Sequence, residues 1–150
     1  MDNSLDQALA ALPHGPEFRF VDKLTALDPG RSASGSYLVK GSENFLESHF
    51  PDNPLMPGVI LIEAIAQLAG IAAQKDAPAS PSFANLHLAA VKQAKLLGAA
   101  HPGDQLIIHA NITASMGNLI QAEGSIARVE SENEDPVPIA RAQLTLSVAS

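Results

Sequence analysis

An apolar segment at residues 58–73 restricts the folds open to this chain more than any other feature. It reads GVILIEAIAQLAGIAA, and 14 of its 16 residues are apolar or glycine. Pro57 precedes it, and proline fits the first turn of a helix, where its missing N–H is not needed. We therefore predict one long helix from Gly58 to about Lys75. A helix that is apolar on nearly every side must be enclosed on nearly every side, and a curved sheet is the natural enclosure.

Strand patterns on both sides of this helix can supply the sheet. After a short helix from Ser4 to about Leu12, we predict a hairpin whose strands are residues 18–27 and 31–40, joined by a turn at Asp28-Pro29-Gly30. Further strands are predicted after the long helix at residues 83–96, 106–115, 119–129 and 140–148, with a turn at 101–104, a hairpin at Gly117-Asn118 and an acidic loop at 130–138. The fold class is α+β in a single domain, 1–150, with one sheet packed on one helix.

Composition excludes several classes of protein. The chain has no cysteine, so disulfides, thiolate nucleophiles and cysteine metal sites are excluded. Its 9 basic and 16 acidic residues give a net charge of −7, which argues against nucleic-acid binding. The apolar segment is shorter than the roughly 20 residues that a membrane-spanning helix needs. The N-terminus lacks the basic region of a secretory signal. We expect a soluble, cytoplasmic protein without a membrane anchor.

Two polar residues interrupt the apolar helix. Glu63 and Gln67 are four positions apart, so they lie on one helix face. Burial among aliphatic side chains raises the pKa of a carboxyl, and a raised pKa suits a general acid that works near neutral pH. Gln67 can orient the Glu63 carboxyl through an amide hydrogen bond. The alternative is a structural acid that caps a backbone group or pairs with an arginine, and for an isolated acid the odds are about even.

A stiff loop lies directly before the helix. Residues 49–59 read HFPDNPLMPGV, with three prolines, and such a proline density excludes regular structure. His49 begins the loop, and histidine is the usual general base near neutral pH. An isolated loop histidine is otherwise mostly a surface residue.

Gly58 opens the helix and lacks a side chain. Its N–H lies at the positive end of the helix dipole and can bind a carbonyl oxygen that becomes negative. The alternative is plain helix initiation. Together with His49 and Glu63, this donor fits proton abstraction next to a carbonyl, coupled to loss of a β-hydroxyl.

These residues carry a resemblance to a known family. The run HFPDNPLMPGVILIEAIAQLAG closely resembles the signature of 3-hydroxyacyl-[acyl-carrier-protein] dehydratases of the FabZ type. The segments LPHGPEFRFVDKL, at 12–24, and PGDQL, at 102–106, are similar to other parts of that family. The resemblance implies a hotdog fold, in which a curved antiparallel sheet wraps a long helix. It also implies a homodimer, often a trimer of dimers, with the site at the subunit interface.

The resemblance also implies roles for individual residues. His49 matches the catalytic histidine and Glu63 the catalytic acid, while Gly58 matches the thioester-carbonyl donor and Gln67 the residue that steadies the acid. The implied substrate is a 3-hydroxyacyl thioester on acyl carrier protein, the implied product is a trans-2-enoyl thioester, and no metal or organic cofactor is needed. Carried over to this chain, the function is in fatty acid or related acyl-chain synthesis.

The chain departs from the family pattern in two places. The segment His14-Gly15-Pro16-Glu17 has an acid where a basic residue is usual, and VKQAKLLGAAHPGD, at 91–104, lacks the usual phenylalanine and basic pair. These departures leave open a specialised pathway such as polyene synthesis. Cations that could meet an acidic carrier protein are Lys92, Lys95, Arg19 or Lys23.

Two other functions compete with dehydration. One is a hotdog acyl thioesterase, which the identity of the product would distinguish, and the other is a non-catalytic acyl-carrier-binding subunit. The remaining histidines lack metal-ligand spacing and are interpreted as surface or structural residues: His14, His87, His101 and His109.

Overall fold

The computed structural model describes residues 4–10, 18–43, 46, 55–74, 86–129 and 135–148. These described residues include two helices, α1 at Ser4–Ala10 and α2 at Gly58–Ala72. The strands are β1 at Lys23–Asp28, β2 at Ser32–Leu38, β3 at Leu86–Leu96, β4 at Gln105–Met116, β5 at Leu119–Val129 and β6 at Val137–Val148. Within the described part of the chain, no helix is long and apolar enough to cross a membrane.

The described strands form one antiparallel sheet in the order β1-β2-β4-β5-β6-β3. Tight turns join β1 to β2 and β4 to β5, and Gly30 and Gly117 take the positive φ values that these turns require. The chain leaves β2, passes through α2 and returns in β3, which pairs with β6. Strands β1 and β3 are consequently the edges of the sheet in the described residues.

Helix α2 lies across the inner face of this sheet and contacts β2, β3, β4, β5 and β6. From Ala64 to Ala72 every residue is buried. The helix packs tightly against Gly124 of β5, where a β-carbon would lie 2.5 Å from Cγ2 of Ile65 and 2.6 Å from the carbonyl oxygen of His109. The prediction of a long helix enclosed by an antiparallel sheet is confirmed.

Several predicted boundaries were wrong, and α2 ends at Ala72 instead of near Lys75. The first strand was predicted from Phe18 but begins at Lys23, because the backbone at Phe18 and Phe20 bonds to a helix side chain instead of a neighbouring strand. The last strand begins at Val137, inside the predicted acidic loop 130–138. Pro138 is accepted there because it lies near the strand's beginning, where a missing N–H costs little.

Candidate active site

Glu63 lies in the half of α2 that the sheet leaves partly open. Its side chain is half-buried, whereas the C-terminal half of the helix is fully enclosed. Burial raises the pKa of the Glu63 carboxyl, and a hydrogen bond with Gln67 lowers it without cancelling the effect of burial. The carboxyl therefore keeps its proton to a higher pH than an exposed glutamate does.

Gln67 is a buried amide with several partners. Only 2% of its surface is exposed. Its Oε1 accepts a hydrogen bond from the Phe20 N–H at 2.9 Å, and its Nε2 donates to the Phe18 carbonyl at 2.8 Å. Because the amide nitrogen carries two hydrogens, it can bond to Glu63 as well. One side chain therefore joins the candidate acid to the segment that precedes β1.

Gly58 is the first residue of α2, directly after Pro57, whose carbonyl accepts hydrogen bonds from Ile60 and Leu61. Within the described residues, the Gly58 N–H donates to no backbone carbonyl. A β-carbon at Gly58 would overlap the side chain of Leu96 on β3. The N-terminus of α2 thus lies beside the aliphatic side chain of Leu96.

The segment that follows β3, residues 97–100, holds Leu96 in this position. The N–H groups of Leu97 and Gly98 both donate to the Ile139 carbonyl. Met56 donates to the Ala100 carbonyl at 2.9 Å. These bonds hold the end of β3 against the start of α2.

Arg128 adds a further contact to the same segment. Its guanidinium Nη1 donates to the Ala99 carbonyl at 2.8 Å. Nothing in the sequence around Arg128 indicates this role, because it depends on the pairing of β5 with β4 and β6. It is a positioning residue for the segment that follows Leu96.

The structure brings Glu63 and Gln67 together and places Gly58 at the start of the same helix. His49, the predicted base, lies outside the described residues, as does His14. The other three histidines lie apart from Glu63: His87 is on β3, His101 is in the turn before β4, and His109 is on β4 with its Nδ1 2.8 Å from the Ser34 hydroxyl. Among the described residues, no three histidine, aspartate or glutamate side chains form a metal-binding group.

The outer face of the sheet, directed away from α2, carries a basic groove. Lys95 of β3 pairs directly with Arg141 of β6, and Arg141 pairs in turn with Ser125 of β5. Like charges placed opposite each other destabilise a sheet. The groove has a volume of about 320 Å³ and is also lined by Glu123. Lys92 lines an adjoining groove of about 230 Å³.

The cations predicted for carrier-protein binding do not form one group within this chain. Lys92 and Lys95 lie on β3, at one edge of the sheet, and Lys23 lies on β1, at the opposite edge. The cation that lies beside Lys95 is instead Arg141 of β6. The period of two in β6 placed Arg141 on the exposed face, but the pairing of β3 with β6 was needed to bring it beside Lys95.

Comparison with solved structures defines the class of this fold. The chain of the dehydratase heterocomplex ApeI:P from Xenorhabdus doucetiae superposes with a TM-score of 0.73 at 16% identity, over 95% of this chain and 91% of that one. The E. coli PaaI protein superposes with a TM-score of 0.61 at 14% identity, over 83% and 80% of the two chains. The long helix wrapped by an antiparallel sheet is a hotdog fold.

The chain belongs to the FabA-like domain family, whose model matches residues 12–133. It is 37% identical over 121 residues to the 3-hydroxyacyl-[acyl-carrier-protein] dehydratase FabZ of Caldanaerobacter subterraneus subsp. tengcongensis, covering 81% of this chain and 84% of the relative. The enzyme of the same name from Dechloromonas aromatica is 35% identical over 127 residues, covering 84% and 88%. That from Rickettsia bellii is 33% identical over 132 residues, covering 88% and 90%.

Proposed function

We propose that this chain is a dehydratase that removes water from a 3-hydroxyacyl thioester on acyl carrier protein and yields a trans-2-enoyl thioester. The relatives that carry this name match most of the chain. The observation that carries the proposal is Glu63, a half-buried carboxyl with a raised pKa that hydrogen-bonds to Gln67. An acid whose pKa is raised keeps its proton to a higher pH and can protonate a departing hydroxyl.

The proposed reaction assigns one step to each residue. His49 removes a proton from C2, and the Gly58 N–H stabilises the negative charge that develops on the thioester oxygen. Glu63 gives its proton to the C3 hydroxyl, which leaves as water, and the C2–C3 double bond forms. The assignments of His49 and Gly58 rest on the family resemblance. The Gly58 N–H, which bonds to no backbone carbonyl among the described residues, supports the second.

Turnover of a crotonyl thioester, measured by the loss of enoyl absorbance in the hydration direction, tests this proposal. Glu63→Gln and His49→Ala should each lower turnover by about 10²- to 10⁴-fold, the usual contribution of a general acid or base. Asp6→Asn makes the same acid-to-amide change on the exposed side of α1 and should leave turnover unchanged.

The same assay, run in parallel with a thiol reagent, separates the competing functions. Hydration and thioester hydrolysis both lower the absorbance of the enoyl thioester, but only a thioesterase releases a free thiol. A non-catalytic subunit would change neither signal with any acyl thioester. Wild-type turnover in Glu63→Gln would contradict the role of Glu63.

We also propose that the basic groove receives the carrier protein. Lys92, Lys95 and Arg141 place three cations around two adjoining grooves in a chain whose net charge is −7. Charge complementarity with an acidic partner lowers the KM for that partner and has little effect on the chemical step.

Charge reversal tests the groove. Lys95→Glu and Arg141→Glu should raise the KM for an acyl-carrier substrate without changing the KM for the same acyl group on pantetheine. Lys23→Glu, at the opposite sheet edge, is the matched control. An equal effect on both substrates would show that the groove does not bind the carrier.

The exposed edge of the sheet supports a homodimer of single-domain subunits. Strand β3 is exposed along most of its 11 residues. Leu88 and Val91 pair with the buried Leu146 and Leu144, so their side chains lie on the inner face, yet the two residues are 37% and 44% exposed among the described residues. We propose that a second copy covers this edge and completes the acyl slot beside Glu63. A trimer of such dimers remains part of the proposal.

A further inference from the structure

Leu96 is the described residue closest to the space that Gly58 leaves empty. The three heavy atoms nearest to a β-carbon built on Gly58 are Cδ1, Cδ2 and Cγ of Leu96, and Cδ1 would overlap it. The leucine side chain therefore lies against the Cα of Gly58, beside the N–H at the open end of α2. The mechanism above does not use Leu96.

The backbone of Leu96 is held by hydrogen bonds, although the residue is half exposed. Leu96 pairs with Ala140 of β6, and the two following N–H groups bond to the Ile139 carbonyl. The residue as a whole is 53% exposed. The backbone of Leu96 is consequently fixed, and its methyl groups lie next to Gly58.

The position of Leu96 restricts what can bind to the Gly58 N–H. A carbonyl oxygen bonded there lies about 3 Å from the nitrogen, so one of the atoms attached to the carbonyl carbon can reach the side chain that flanks Gly58. One of these atoms is C2, where a branched substrate carries its extra methyl group. Where C2 is the atom that faces Leu96, an extra methyl group on C2 would meet the leucine side chain.

We propose that Leu96 is a specificity-determining residue that admits 3-hydroxyacyl thioesters unbranched at C2 and disfavours those with a C2 methyl group. This inference rests on the proposed dehydratase function and adds a substrate class to it. A 2-methyl-3-hydroxyacyl thioester keeps one hydrogen on C2, so it can lose water by the same step. The discrimination is therefore steric.

Paired substrates test the inference. For wild type and variants, kcat/KM is measured with 3-hydroxybutyryl-pantetheine and 3-hydroxy-2-methylbutyryl-pantetheine. Leu96→Ala should raise the branched-to-unbranched ratio about tenfold or more, the usual discrimination for a single methyl group. Leu96→Phe should lower the ratio.

Leu97→Ala is the matched control. Leu97 is the next residue, is 52% exposed and supplies none of the three atoms nearest to the Gly58 position. Its truncation should leave the ratio unchanged. A ratio within twofold of wild type in Leu96→Ala, or an equal rise in Leu97→Ala, would overturn the inference.

A binding measurement that needs no turnover separates this inference from the proposed function. The butyramide and 2-methylbutyramide analogues, in which an amide replaces the thioester of the pantetheine compounds, are titrated by calorimetry. Leu96→Ala should shift their affinity ratio in the same direction as the kinetic ratio. If the shift occurs without dehydration by wild type, the proposed function fails and the inference stands. If wild type dehydrates but the affinity ratio does not move, or if neither analogue binds any variant, the inference fails.

Discussion

Glu63 is an ionisable residue, and its hydrogen-bond partner Gln67 also helps to hold the fold together. The carboxyl is half-buried and has a raised pKa, and its hydrogen-bond partner also bonds to the backbone of Phe18 and Phe20. The segment before β1 and the candidate acid therefore share one amide. A substitution that disturbs the segment before β1 should therefore change the pKa of Glu63, and a change at Glu63 should affect that segment.

The raised pKa of Glu63 predicts a specific dependence of stability on pH. The folded protein keeps the Glu63 proton while the unfolded chain ionises, so the free energy of unfolding falls as pH rises from about 4 through the folded pKa, and it stays lowered above that. Glu63→Gln removes this loss. Urea unfolding should show the variant gaining stability relative to wild type between pH 4 and neutral pH. A difference independent of pH would contradict the raised pKa.

Gln67→Met should destabilise the fold and alter Glu63. It leaves the Phe20 N–H and the Phe18 carbonyl without their amide partner, and an unsatisfied buried polar group costs about 1–3 kcal/mol. It also removes a donor to the Glu63 carboxylate, so the pKa of Glu63 should rise further. Urea unfolding and a carboxyl-carbon NMR titration measure the two effects. Gln93→Met, on the exposed outer face, is the control and should change neither.

At the residue scale, the sequence predicted the part of the site that local geometry determines. The spacing of four residues was enough to place Glu63 and Gln67 on one helix face, and apolar neighbours were enough to predict burial. The bonds from Gln67 to Phe18 and Phe20 span 49 and 47 positions. They depend on the path of the chain before β1, which no local pattern specifies. The position of His49 remains a prediction.

Between elements, the critical contact is the crossing of α2 over β5. Gly124→Ala places a methyl group against Cγ2 of Ile65 and the backbone carbonyl of His109. The backbone cannot retreat easily, so we expect a loss of about 1–3 kcal/mol in the free energy of unfolding, as for other overpacked cores. Urea denaturation measures it. Ser125→Ala, the next residue in the strand, should change stability by no more than about 0.5 kcal/mol, and an equal loss there would contradict the packing argument.

At the scale of elements, strand existence was easier to predict than strand pairing. The Gly117-Asn118 hairpin and the alternation in residues 140–148 were sufficient to predict β4, β5 and most of β6. Pairing of β3 with β6 brings together residues at least 44 positions apart, such as Leu96 and Ala140 or Lys95 and Arg141. Hydrophobic periodicity contains no information on that register, so the basic groove could not be read from the sequence.

At the scale of the whole molecule, the partly exposed inner face of β3 predicts a homodimer. Val91 is 44% exposed although it pairs with the buried Leu144. Val91→Glu would place a charge in the proposed subunit contact, so we expect monomers by light scattering and loss of crotonyl-thioester turnover. Met116→Glu, at the tip of the β4–β5 hairpin and 73% exposed, should leave the dimer intact. Dimers of undiminished stability in Val91→Glu would exclude this edge as the contact.

The pairing of β3 with β6 is interrupted twice, between Leu88 and Ala90 and between Val91 and Gln93. Such irregularities bend a strand and break the even row of N–H and C=O groups along its free side. An incoming chain then finds few alignments in which its own groups match that row. The irregular pairing of β3 thereby disfavours the open-ended strand addition that leads to fibrils, although β3 exposes much apolar surface.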